Sequence, residues 1–304
     1  MSPTKQTSSR RGLTELLDGG FLARLDALDI LSRKIFQGKL RGERRSKRRG
    51  QSVEIADHRP YVVGDDLRFV DWNVYARLDQ LFLKLFLEEQ DLTVQLVMDT
   101  SASVGEPDAD KQLAMKKLSA ALAYIALAHT NRLTLSAFAD GLTGQLANMR
   151  GRSYMHQMAE FLLTADAEGP SDFDKACRQL AGMTIGSGVM VVMSDFLFKE
   201  GYESGLRRLM GRHYDLYVIQ VLSPEEISPK LGGDLKLLDV EDGDAAEVTV
   251  GAALLKYYKR NLTAYCNELR QFCTRRGATY ALANAADPVE ALVLNYLRRR
   301  GLLG

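Results

Sequence analysis

The sequence predicts an α/β protein with a doubly wound, mostly parallel sheet and an N-terminal extension packed on it. Three observations predict this class. From residue 93 onward, short apolar runs alternate with helix-length segments, the pattern of a parallel sheet covered on both faces. The first of these runs, Val94-Gln95-Leu96-Val97-Met98, ends in Asp99-Thr100-Ser101-Ala102-Ser103. In open sheets of this class, ligands bind beyond the carboxyl ends of the strands, where those polar residues fall. Before residue 90 the composition is different, first basic and then acidic and aromatic. That part reads as an addition to the sheet.

In chain order, residues 1–19 read as a mobile tail rich in Ser, Thr and Arg. Residues 20–90 form the extension. Within it, 21–36 predicts a helix, with Leu25, Leu28, Leu31 and Ile35 along one face. A basic run follows, Arg41, Arg44, Arg45, Lys47, Arg48 and Arg49. Residues 57–79 are acidic and aromatic, and 81–87 are a strongly apolar strand candidate. Residues 91–304 form the main, Rossmann-like domain. Its strands are predicted at 93–98, 132–138, 188–194, 215–222 and 278–283. Its helices are predicted at 109–130, 153–164, 172–182, 199–211, 251–276 and 287–299. Ser223-Pro224-Glu225-Glu226 reads as a capping box with proline at the first helical position. The 251–276 helix carries Leu255, Tyr258, Leu262, Tyr265, Leu269 and Phe272 at alternating spacings of three and four, a stripe that faces the sheet. Residues 231–250, with Gly-Gly, Asp-Gly and a Val-Thr-Val segment, predict a hairpin or edge strand.

Composition bounds the function. The 304 residues are 46% hydrophobic and 26% charged, with a formal net charge of +1. Such a balance argues against nucleic-acid binding driven by the overall field. No apolar run approaches the roughly 18 to 20 residues that span a bilayer. Met1 to Gly12 is polar and basic, without an apolar signal core, so a cytoplasmic location is expected. Three cysteines, Cys177, Cys266 and Cys273, fit a reducing compartment. Cys266 and Cys273 fall on one predicted helix, about 10 Å apart along its axis and too far for a disulfide. The four histidines show no metal-ligand spacing, which disfavours zinc.

Three loops meet at one sheet edge. The first brings Asp99, Ser101 and Ser103. The strand 188–194 delivers Asp195. Between them Gly169-Pro170-Ser171, just before a helix, offers Ser171. Singly, such residues serve as turn formers and helix caps. Together they form a set of hard oxygen donors suited to a divalent cation, magnesium first, with manganese or calcium as alternatives. Mostly neutral ligands leave a bound ion its positive charge and free positions, with which it can hold an acidic group from another protein.

These loops resemble the von Willebrand factor A domain and its metal-ion-dependent adhesion site. That family's first loop reads Asp-x-Ser-x-Ser, as in residues 99–103. Its second supplies a Thr, here replaced by Ser171, with Ala176 further along the following helix. Its third supplies an Asp, matched by Asp195. This likeness covers roughly residues 90–225. Upstream, Arg48-Arg49-Gly50-Gln51-Ser52-Val53-Glu54, Asp57-His58-Arg59-Pro60-Tyr61, Gly64-Asp65-Asp66-Leu67-Arg68, Asp71-Trp72 and Ala76-Arg77 resemble the signature box of the family called domain of unknown function 58. With the box included, the resemblance covers about residues 40–300. It implies a bacterial A-domain protein, without enzymatic activity, that binds a protein partner. In genomes such proteins often stand beside MoxR-type AAA+ ATPases. Many members also carry N-terminal membrane helices, which this sequence does not show.

Read physically, the box alternates Arg59, Arg68 and Arg77 with Asp57, Asp65, Asp66, Asp71 and Asp79. Arginine pairs with carboxylates through two parallel hydrogen bonds. An ion-pair network is expected, with Trp72 and Tyr61 as apolar anchors; a solvated charged face is the simpler alternative. Residues 81–87 are expected to join the box to the main sheet. Two rival functions differ in class. A phosphohydrolase-like enzyme would begin with the same strand-end Asp but needs a second Asp where Ser101 stands. A nucleic-acid binder would rest on the basic segment 41–49.

Overall fold

The computed structural model describes residues 12–32, 55–86, 92–105, 109–183, 188–210, 214–238 and 245–304. The basic run at 41–49 lies outside them. The chain divides into two compact units, one of Met1–Gln37 with Leu92–Gly304, the other of Gly38–Asp91.

The larger unit is built on a six-stranded sheet. In chain order its strands are β3 (Thr93–Asp99), β4 (Arg132–Ala139), β5 (Gly141–Met149), β6 (Gly188–Ser194), β7 (Tyr214–Leu222) and β10 (Thr279–Asn284). Their spatial order is β10-β7-β6-β3-β4-β5. All pairings are parallel except β4 with β5. This is the doubly wound class predicted from the alternation of strands and helices. β3 lies inside the sheet, and all seven of its residues are buried. Its alternate side chains enter two separate cores. Val94, Leu96 and Met98 pack with Met115, Leu118, Leu122 and Ile125 of the helix Ala109–Ala128. Val97 packs on the other side with Cys177, Leu180, Leu206, Leu269 and Cys273. Residues 118–127 of the first helix are buried without a break, as expected where its sequence is apolar all round.

On the second face, helices Phe173–Gly182 and Glu203–Leu209 touch at Gly205. A Cβ there would stand 2.7 Å from the Phe173 ring and 3.0 Å from Cys177 Sγ, so only glycine allows this approach. The long helix Ala252–Arg275 follows the predicted stripe: Leu269 and Cys273 are buried, and Leu255, Tyr258, Leu262, Tyr265 and Phe272 are partly covered. The hairpin expected within 231–250 is β8 (Gly233–Leu238) paired antiparallel with β9 (Ala245–Val250). Residues 289–299 are helical, with a π-helical run over Leu292–Leu297.

Several expectations need correction. Of the predicted mobile tail, residues 12–16 are helical and Leu13, Leu16 and Leu17 are buried in the first core. Their spacing makes one apolar face, which outweighs the polar composition around them. The helix expected over 21–36 is Gly19–Leu25, opened by Asp18, whose carboxylate accepts from Gly20 N at 2.7 Å. The chain then turns, and Ile30 bridges antiparallel to Leu303; Ile35 lies outside the described residues. Gly304 N donates to Asp29 O at 2.9 Å and Leu31 N to Leu302 O at 2.9 Å, so backbone pairing replaces further helix. The antiparallel strand β5 was not predicted. Its polar, glycine-containing sequence alternates only weakly, and it forms because β4 offers it an edge across Asp140.

The smaller unit holds β1 (Ile55–Pro60) and β2 (Phe82–Phe86), paired antiparallel in a sheet of their own. The apolar strand at 81–87 was expected in the main sheet and instead pairs here. The predicted arginine–carboxylate pairs form locally. Arg59 donates two bonds to Asp65, at 2.8 and 2.7 Å. Arg68 pairs with Asp66 at 2.6 Å. Asp71 caps the helix Trp72–Leu78 and lies 2.9 Å from His58 Nε2 and 3.7 Å from Lys84 Nζ. The hydrogen bond with His58 is the main cause holding the Asp71 carboxyl below its usual range. Trp72 does not serve as a buried anchor: it is 60% exposed and meets Tyr75 edge-on. Among the described residues of this unit, Val70 and Leu83, bridged to each other, are the buried apolar pair.

Candidate metal centre

The parallel register places three loops together. Met98 of β3 is level with Met193 of β6, so Asp99, Ser194 and Asp195 leave the sheet side by side. Asp99 is fully buried. Its Oδ1 accepts from Ser101 N at 2.9 Å and Ser101 Oγ at 2.7 Å, and its Oδ2 accepts from Ser194 Oγ at 2.6 Å. Ser101 Oγ lies 3.1 Å from Ser103 Oγ. The turn is held from behind, with Thr100 N and Thr100 Oγ1 both donating to Phe138 O of β4.

The Ser171 loop is fastened to the same turn by main-chain bonds. Glu168 N donates to Thr100 O at 3.0 Å, Ala102 N to Gly169 O at 2.9 Å, and Asp172 N to Ala139 O at 2.9 Å. Gly105 allows the contact, since a Cβ there would lie 2.6 Å from Ala167 Cβ. The structure therefore links Asp99 to Ser101 and Ser101 to Ser103, sets Asp195 near Asp99, and fastens the backbone on either side of Ser171 to the Asp99 turn and to the end of β4.

Electrostatics mark the place. Burial, and then the nearby Asp195 carboxylate, push the Asp99 carboxyl from 3.8 up to about 7. Two buried carboxylates of like charge lie close together with hydroxyls around them. Hydroxyls can turn their hydrogens outward and offer lone pairs. This donor set fits a hard dication and does not suit a thiophilic one. Among the described residues no three His, Cys, Asp or Glu side chains gather as a metal-binding group, so hydroxyl oxygens would have to complete any coordination.

Sequence reasoning missed three participants. Ser194 is the only polar residue of β6, a signal in its own right next to Asp195. Lys111, with its side chain 3% exposed, reaches Asp195 Oδ2 at 2.9 Å and Glu226 Oε1 at 2.7 Å. A lysine in the first turn of a helix opposes the macrodipole, which was the available hint. Glu226 was read only as the closing residue of a capping box. That box is present: Ser223 Oγ accepts from Glu226 N, and Glu226 Oε2 accepts from Ser223 N.

An α/β domain with a hydroxyl-and-carboxylate cluster at the carboxyl edge of a parallel sheet is the class so defined. Residues 57–268 match the family model described as "Protein of unknown function DUF58", and the chain belongs to that family. It is 26% identical over 293 residues to the uncharacterized protein Rv1480 of Mycobacterium tuberculosis, a match that covers 94% of this chain and 92% of that one. Among solved structures it is similar to the conserved hypothetical protein BatB from Bacteroides thetaiotaomicron, at 10% identity and a TM-score of 0.40, covering 68% of this chain and 98% of that one. It is also similar to a von Willebrand factor type A protein from Catenulispora acidiphila, at 12% identity and a TM-score of 0.42, covering 70% of this chain and 42% of that one. No helix among the described residues is long and apolar enough to cross a membrane.

Proposed function

We propose that this protein is a non-enzymatic, metal-dependent protein-interaction module. Asp99, Ser101, Ser103 and Ser171 hold a divalent ion, magnesium first, with Asp195 contributing directly or through water. The observation that carries this reading is the buried Asp99 carboxylate, ringed by hydroxyls beside a second buried carboxylate. Such a cluster is costly unless a cation completes it. A bound ion supplies a positive centre with free coordination positions, which an Asp or Glu of a partner fills. Ser101, standing where a phosphohydrolase would need a second Asp, donates its hydroxyl to Asp99, which supports binding over catalysis. The family resemblance points to a MoxR-type AAA+ ATPase as the partner to try first.

Calorimetry with magnesium tests the site. The native chain is expected to bind the ion, and Asp99→Ala to lose binding while keeping its circular dichroism. Equal affinity in the two proteins would overturn the assignment. Association with the ATPase is expected in magnesium and not in chelator.

A further inference from the structure

Lys111 stands apart from everything the binding reading uses. It is a buried ammonium in the first turn of a helix, where both burial and the helix dipole disfavour it. Asp195 and Glu226 offset those costs. Glu226 is itself fixed, because its second oxygen accepts from Ser223 N at 2.8 Å and its carbonyl accepts from Tyr258 OH at 2.8 Å. The ammonium is thus anchored on one side and grips Asp195 on the other.

The grip takes one oxygen of Asp195, and the backbone takes the other. Oδ2 meets Lys111 Nζ at 2.9 Å, and Oδ1 accepts from Leu197 N at 3.0 Å. The Asp195 carbonyl accepts from Gln220 Nε2 at 2.8 Å, and Tyr280 OH holds Gln220 in turn at 2.7 Å. Phe196, next in the chain, has a left-handed φ of 56° and is fully buried. A bulky residue keeps that conformation only where its surroundings enforce it. Gln220 fixes the main chain of Asp195 and the Leu197 amide fixes its Oδ1; among the described residues the lysine alone holds Oδ2.

We infer that Lys111, tethered by Glu226, is a positioning residue that keeps Asp195 off the metal and so keeps a coordination position open for an incoming carboxylate. The inference rests on the metal-binding reading above and assigns the residues that hold the site receptive. Without the lysine, Asp195 Oδ2 is free to turn to the ion, displacing a water and closing the position.

Manganese is the probe, because relaxation of solvent protons counts the waters on the bound ion. Lys111→Met is expected to bind manganese about tenfold more tightly, as removal of a nearby positive charge requires, and to carry about one water fewer than the native chain. Tighter binding with an unchanged water count would mean that Lys111 acts through its charge alone, and would overturn the positioning role. Asp195→Asn keeps the lysine and serves if Lys111→Met does not fold. Its water count is expected to equal that of the native chain, and a gain of one water would place Asp195 on the ion and overturn the inference. Absence of manganese binding to the native chain would instead overturn the metal reading itself, and this inference with it.

Discussion

Replacing Asp99 by asparagine should stabilise the metal-free protein at alkaline pH and destabilise the metal-loaded one relative to the native chain. Asp99 is fully buried beside Asp195, and its carboxyl is pushed from 3.8 up to about 7. Between those values the folded chain binds a proton that the unfolded chain does not. Stability of the metal-free protein is therefore greatest below about pH 4, as far as this group is concerned, and falls as pH rises towards 7. Above pH 7 the loss is complete. At about 1.4 kcal/mol for each tenfold change in proton affinity, the full loss is roughly 4 kcal/mol. Relaxation around the charge brings the expected value down to about 2 to 4 kcal/mol. Asp99→Asn keeps the shape and has no proton to lose. Ser194, whose hydroxyl can rotate, can accept from the new amide. The assay is urea unfolding in chelator at pH 5.5 and pH 8, then at pH 8 with saturating magnesium. Comparing the two proteins cancels the histidines, which they share. The native chain should weaken relative to Asp99→Asn between pH 5.5 and 8 in chelator, and the order should reverse in magnesium. A pH-independent difference in chelator, or a variant weaker than the native chain at pH 8 without metal, would refute the argument.

Gly105→Ala would set a Cβ against Ala167. It should cost about 1 to 3 kcal/mol by overpacking and weaken magnesium binding, because Ser171 rides on the displaced loop; an unmoved urea midpoint would show that the loop yields freely. Leu16→Ala should cost about 2 to 5 kcal/mol, as expected for a leucine only 4% exposed. A midpoint within a few tenths of a kcal/mol of the native value would place the N-terminal helix outside the cooperative core.

The sheet was legible because its central strands are short, apolar and bounded by polar turns. Val94–Met98 and Val189–Met193 can hardly be anything but buried strands. The Asp99 turn was legible because polar residues at the end of such a strand have only one edge to occupy. What escaped notice is non-local. Lys111 and Glu226 are 115 positions apart, and each has an ordinary local explanation, a surface helix residue and a cap. Only the crossing of β3, β6 and β7 brings them to Asp195. β5 escaped for the opposite reason. Its pairing is local, but its sequence carries little periodicity, so the neighbouring edge decides its structure. In the tail, Leu13, Leu16 and Leu17 were hidden by the Ser, Thr and Arg that precede them.

The staple between the Ser171 loop and the Asp99 turn is made of backbone amides and carbonyls. Peptide groups are the same whatever the side chain. The depth and spacing of the centre are thus insulated from most substitution along 165–170, apart from the contact of Ala167 with Gly105 and from Gly169, whose φ of 78° disfavours a side chain. The rim around the centre can vary while the centre stays constant. Related chains could then share one way of gripping a carboxylate yet choose different partners. An engineer wishing to redirect recognition would diversify that loop and leave its two anchoring peptides in place.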